Sequence, residues 1–208
     1  MSEITNPNIL SIIRTFTRIP ELLLHNVDIF GLCSLITSMD FSPSSFRAAR
    51  ALLNLGQGQV ASAAGVGPRV VIRLEDVGYP DPTEAALKVH LYYRNQGLEF
   101  LDATSTLGPG VRWRKPGRED FFNRRQIHAG RVLLDWRQVD FATKLDVTRS
   151  LLAKFESGIK RKPTQAFVES ALKTLEAGGV VMLEDDEHCG FGVRLAQPLP
   201  SRGQPPPN

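Results

Sequence analysis

The chain repeats itself. Displaced by 81 positions, residues 48–97 lie on residues 129–178 without a gap, and 13 of the 50 pairs are identical. They include Arg50/Arg131, Leu52/Leu133, Gln57/Gln138, Ala61/Ala142, Val66/Val147, Glu75/Glu156, Thr83/Thr164 and Gly97/Gly178. Other pairs stay apolar, such as Leu55/Trp136, Val60/Phe141 and Leu74/Phe155. A unit of this length exceeds a solenoid repeat and suffices for a small domain. In a chain of 208 residues, the repeat predicts two small domains rather than one large one.

The expected boundaries follow. Residues 1–40 have no counterpart in the repeat and read as a helical extension. Its apolar positions are Ile9, Leu10, Ile12, Ile13 and Phe16, followed by a second helical stretch over 21–37. The first domain with its hairpin covers 41–114, a linker 115–122, and the second domain with its hairpin 123–195. The tail, 196–208, is rich in Pro and Gly and is expected to be disordered.

Each copy reads as four short helices and a hairpin, a mainly α fold. In the first copy Ser44 or Ser45 is the expected cap of a helix over Phe46–Asn54. A second helix over about 57–64 follows, then a turn at Gly65. A third helix opens at Pro68, and a fourth is capped by Thr83 and ends at Gly97. The second copy gives helices over Asn123–Leu134, Gln138–Lys144, Thr148–Glu156 and Thr164–Ala177. The expected strands are Leu98–Leu101, Val111–Arg114, Val180–Leu183 and Gly192–Leu195, around a Gly/Pro turn in the first copy.

Composition narrows the class. Cys33 and Cys189 are too few for a disulfide framework. No uncharged apolar run reaches the length of a membrane span, and no leader pattern opens the sequence, so a cytoplasmic, nucleoid-associated protein is expected. Charge is uneven: residues 124–162 hold ten Lys/Arg against four acids, while the matching window 46–82 holds four against three. A basic block inside a folded pattern suits a polyanion partner, with a merely solvated helix face as the plain alternative.

A short helix, a tight turn and a second short helix braced by neighbours is the geometry of a helix-turn-helix. Its demands are met twice. Ala61 and Ala142 are small where two helices meet. Gly65 and Asp146 tolerate a left-handed turn, and Val66 and Val147 plug the core behind it. Val71 and Leu74, with Leu152 and Phe155, face inward at helical spacing.

At these residues the sequence resembles the lambda-repressor-like, XRE-type helix-turn-helix regulators, as a tandem repeat of the domain. The matching positions are Arg50, Gln57, Ala61, Gly65–Val66 and Leu74–Glu75, then Arg131, Gln138, Ala142, Asp146–Val147 and Phe155–Glu156. The resemblance implies two helix-turn-helix domains, each with a small β-hairpin, acting as a sequence-specific regulator on double-stranded DNA. It implies that the third helix enters the major groove. In the second copy this places Thr148, Arg149, Ser150 and Lys154 at bases or phosphates, Gln138 on a phosphate, and Lys160, Arg161 and Lys162 on the backbone. The first-copy equivalents are Gln57, Arg69 and Arg73, beside Gly67 and Pro68, which offer no polar side chain. The two copies would serve as a pseudo-dimer within one chain. Glu75 and Glu156 are expected to pair with Arg50 and Arg131 inside each domain.

The alternative is a protein-interaction module of the anti-activator or antitoxin kind, in which the first copy or the N-terminal segment binds a protein partner. The apolar run Pro68, Val70, Val71, Ile72 favours it. Gly56, Gly58 and Ala61 match a dinucleotide-binding pattern, but the preceding segment reads as helix, not strand. His188–Cys189 has no metal-ligand partner at a suitable spacing. No residue spacing singles out a catalytic set, so no enzyme activity, cofactor or metal is expected.

Overall fold

The computed structural model describes residues 41–76, 83–159 and 162–198. The expectations for the N-terminal extension, for Lys160 and Arg161, and for residues 199–208 of the tail lie outside the described residues.

Eight α-helices and one four-stranded sheet make up the described residues. The first half runs α1 (Pro43–Leu53), α2 (Gln57–Ala63), α3 (Pro68–Asp76), α4 (Glu84–Asn95), β1 (Leu98–Leu101) and β2 (Gly110–Trp113). A 3-10 turn (Phe121–Asn123) leads into α5 (Arg124–Leu133), α6 (Gln138–Lys144), α7 (Arg149–Glu156), α8 (Gln165–Ala177), β3 (Val180–Leu183) and β4 (Gly192–Leu195). The order of elements in the first half recurs in the second.

Local chemistry explains most boundaries. Thr83 and Thr164 cap α4 and α8 through hydroxyls that accept from Ala86 N and Phe167 N. Gly65 and Asp146 take up left-handed backbone between the second and third helix of each half, as do Asn54 and Asp135 after the first. The first helix departs from expectation. It begins at Pro43, three residues before Phe46, because proline is preset for the first helical position. Ser42, not Ser44 or Ser45, stands at its cap position, and both later serines are buried in its first turn. At the start of α5 the Asn123 side chain makes no cap bond. The Asp120 carboxylate accepts from Arg125 N and Gln126 N at 3.0 and 2.9 Å instead. The second strand runs over Gly110–Trp113, one residue earlier than expected.

The two hairpins do not stand apart. All strand pairs are antiparallel, and the order is β1-β2-β4-β3. At the central seam Gly110 faces Arg194, Val111 faces Val193 and Arg112 faces Gly192. Past Gly178 the repeat offset becomes 82, because Gly179 is an added residue. Gly192 is then the counterpart of Gly110 and Arg194 that of Arg112, so each half offers the same surface to the other about the Val111–Val193 pair. The symmetry extends to hydrogen bonds. Gly108 N donates to Leu195 O and Gly190 N to Trp113 O, both at 2.9 Å. Arg194 Nε donates to Gly108 O at 2.7 Å and Arg112 Nε to Gly190 O at 3.1 Å. A Cβ on Gly192 would run into the Val111 carbonyl, and one on Gly110 into that of Val193, so glycine is required where these strands close.

Behind the sheet, α1 and α5 pack side by side. Arg47 bridges them, donating through Nε to Val132 O at 2.9 Å and through Nη1 to Glu75 O. One apolar core runs through both halves, from Phe46, Leu52, Leu74 and Tyr93 to Ile127, Phe141, Leu152 and Leu175. No helix among the described residues is long and apolar enough to cross a membrane.

Candidate nucleic-acid interface

In each half the second and third helices are held by the same three side chains. Arg131 donates to the Glu156 carboxylate through Nε at 2.6 Å and Nη2 at 2.8 Å, and through Nη1 to Trp136 O at 2.6 Å. Gln138 Nε2 donates to Glu156 Oε2 at 2.8 Å. Arg50 likewise grips Glu75 at 2.6 and 2.9 Å, with Gln57 Nε2 on Glu75 Oε2 at 2.8 Å. A planar guanidinium and a carboxylate meet on two bonds, which fixes direction as well as distance. The third helix of each half is thereby locked to the first and to the start of the second. His128 stands 3.8 Å from Glu156. Burial, which outweighs that carboxylate, pushes its pKa down to about 4, so at neutral pH it is an uncharged neighbour.

Glu75 and Glu156 therefore pair with Arg50 and Arg131, as the sequence leads one to expect. The family resemblance assigns the two glutamines to phosphate, yet their side-chain amides turn inward to the carboxylates. The equal spacing of Gln57–Glu75 and Gln138–Glu156 follows from the repeat itself and does not show that the side chains meet.

On the outside of α7, the Thr148 hydroxyl caps the helix by accepting from Leu151 N at 3.2 Å. Arg149, Ser150, Leu151 and Lys154 are exposed, while Leu152, Phe155 and Glu156 are buried. Successive helical residues are about 100° apart. Ser150 and Lys154 thus lie at the middle of the exposed arc, with Arg149 on one flank and Leu151 on the other. Thr148, Ser150, Lys154 and Lys162 come together along one groove of about 840 Å³ between α7 and the start of α8. Arg149 is not part of that groove's lining. On α3 the corresponding arc is exposed at Arg69, Ile72 and Arg73. Neighbouring Arg137 is tied to Asp140 by two bonds of 2.8 and 2.9 Å, which offsets its charge.

A helix-turn-helix family model matches residues 127–177. The match runs from the middle of α5 to the end of α8 and takes in the α6–turn–α7 pair and its groove. The matched segment is similar to helix-turn-helix units of the XRE type, which suggests DNA binding. Searches among curated proteins and among solved structures returned no match.

The discounted motifs have plain structural roles. Gly56 and Gly58 lie between two helices and at the start of α2, not after a strand. His188 N and Cys189 N both donate to Asp186 Oδ1 at 2.7 Å, closing the β3–β4 connection. Those two bonds, with Arg112 beside them, hold the Asp186 carboxyl down to about 2.

Proposed function

We propose that the chain is a sequence-specific DNA-binding transcriptional regulator that uses its two halves as an intramolecular pseudo-dimer. The observation that carries this reading is the α6–turn–α7 unit, with a basic and polar outer face on a helix locked by the Arg131–Glu156–Gln138 network. The first half supports the second part of the reading. It has the same element order and the same Arg–Glu–Gln network, and it meets its counterpart through a self-complementary seam. Two-fold DNA readers place one helix in each of two successive major-groove faces, roughly one helical turn apart.

In this reading Arg149, Ser150 and Lys154 face bases and nearby phosphates, and Thr148 offers its hydroxyl proton to a phosphate while its oxygen caps the helix. Lys160, Arg161 and Lys162 grip the backbone. Gln138 and Gln57 act chiefly by positioning the reading helix, and the backbone amides opening α6 and α2 remain for phosphate. Arg69 and Arg73 carry the reading in the first half.

The test is selection of duplexes from a random library with the full chain, followed by footprinting and stoichiometry. One chain covering two unequal half-sites is the expected outcome. Protection of a single half-site per chain overturns the pseudo-dimer. No enriched duplex overturns DNA reading altogether, and the protein-interaction role then takes its place.

A further inference from the structure

We propose that Leu151 reads the 5-methyl group of a thymine in the half-site bound by α7; this rests on the DNA-binding reading above and names what that site recognises. Leu151 is 47% exposed although it lies in a short helix whose inward positions are filled by Leu152 and Phe155. Isolated exposed leucines are ordinary on protein surfaces. This one is not isolated. It lies on the first turn of α7, on the flank of the arc that carries Ser150 and Lys154, and it lines the same groove as those two side chains.

The floor of that groove is apolar, formed by Val147, Phe155 and Phe167, and its rim carries Lys154 and Lys162. On DNA, an apolar strip edged by cations suits a major-groove wall where a methyl group projects between phosphates. Among the four bases only thymine presents a methyl group there, and apolar side chains contact it. The N-terminal part of a reading helix approaches base edges most closely, and Leu151 is the third residue of α7. In the first half the equivalent position is Val70, shorter and partly buried. The methyl preference belongs to the second half-site.

The experiment uses the full chain and the duplex enriched from a random library. Each thymine of that duplex is replaced in turn by deoxyuridine, which removes the methyl group and leaves every hydrogen-bonding edge intact. Affinities are measured for the wild type, Leu151→Ala and Leu151→Met, with thermal unfolding as the check that the variants fold. For the wild type, one replacement on the α7 side should weaken binding about fourfold, the factor expected for one buried methyl-sized group. Leu151→Ala should bind the thymine duplex about fourfold more weakly and be indifferent to that replacement. Leu151→Met should keep the sensitivity. If the wild type binds the enriched duplex but no replacement has an effect that disappears in Leu151→Ala, this inference is overturned and DNA reading stands. If no duplex is enriched, both fall together.

Discussion

The Arg–Glu–Gln networks put most at stake per side chain. The Arg131 and Glu156 side chains are 7% and 2% exposed, against 19% and 4% for Arg50 and Glu75. Removing one partner of a buried ion pair leaves an uncompensated charge and costs about 3–5 kcal/mol. Glu156→Ala should therefore lower stability by roughly that amount in urea unfolding, and Glu75→Ala by less, because water reaches Arg50 more easily. Equal losses would show that exposure does not govern the two pairs. Two buried histidines add a dependence on acid. Burial pushes both His90 and His128 down to about 4, from an ordinary 6.5. The unfolded chain takes up protons there that the folded one refuses, so their contribution is complete above pH 6.5 and is lost as pH falls toward 4. His90 is packed against Phe41 and stacked on Phe100, with its ring centroid 4.4 Å from the latter. His90→Phe should flatten the decline in stability between pH 6.5 and 4, measured as the urea midpoint against pH. An unchanged slope would remove His90 as the cause.

At the scale of elements, α3 and α7 differ in what they would offer to DNA. Arg149→Ala should cost about 1–3 kcal/mol on the selected duplex and little on random DNA, as for any bidentate base reader. Joint replacement of Lys160, Arg161 and Lys162 by Ala should weaken all duplexes alike and reduce the salt slope by about 0.9 for each phosphate no longer neutralised. A salt slope that does not move would exclude these lysines and this arginine from the backbone. Most helices are legible in the sequence, because Thr83, Thr164, Pro68 and Gly65 announce caps and turns through local chemistry that needs no partner. The start of α5 is less so: its cap comes from Asp120, which Asn123 conceals. The inward turn of Gln57 and Gln138 is hidden because a glutamine opening a helix fits a phosphate as well as a buried carboxylate, and only packing decides. The β2–β4 register is beyond reach for a related reason. It depends on two strands 82 residues apart meeting at glycines, and sequence spacing alone does not show which edges close.

For the whole molecule, the sheet is the joint. Gly192→Ala drives a methyl group into the Val111 carbonyl across the seam, and the strands must part to admit it. Overpacking of this kind costs roughly 1–3 kcal/mol. The variant should melt lower and also lose affinity for the two-half-site duplex, whereas a loss of stability with unchanged affinity would separate the seam from DNA reading. A chain beginning at Met39 should bind within a few fold of the full chain, because residues 1–40 lie outside the repeat and hold two basic against four acidic side chains. A loss beyond tenfold, about 1.4 kcal/mol, would place that segment in the complex.

The seam also bears on mass action. Separate subunits must find each other before they find an operator, so occupancy climbs with the square of their concentration when they are scarce. Here the joined strands belong to one polypeptide, and dilution has nothing to pull apart. If the two halves act as the proposed pseudo-dimer, occupancy of a target should rise with the first power of concentration, which a titration at low protein concentration would check. A regulator of the proposed kind would trade the sharp threshold of an assembling pair for a graded response at very low copy number. Its two halves, never obliged to be identical, are also free to read different words.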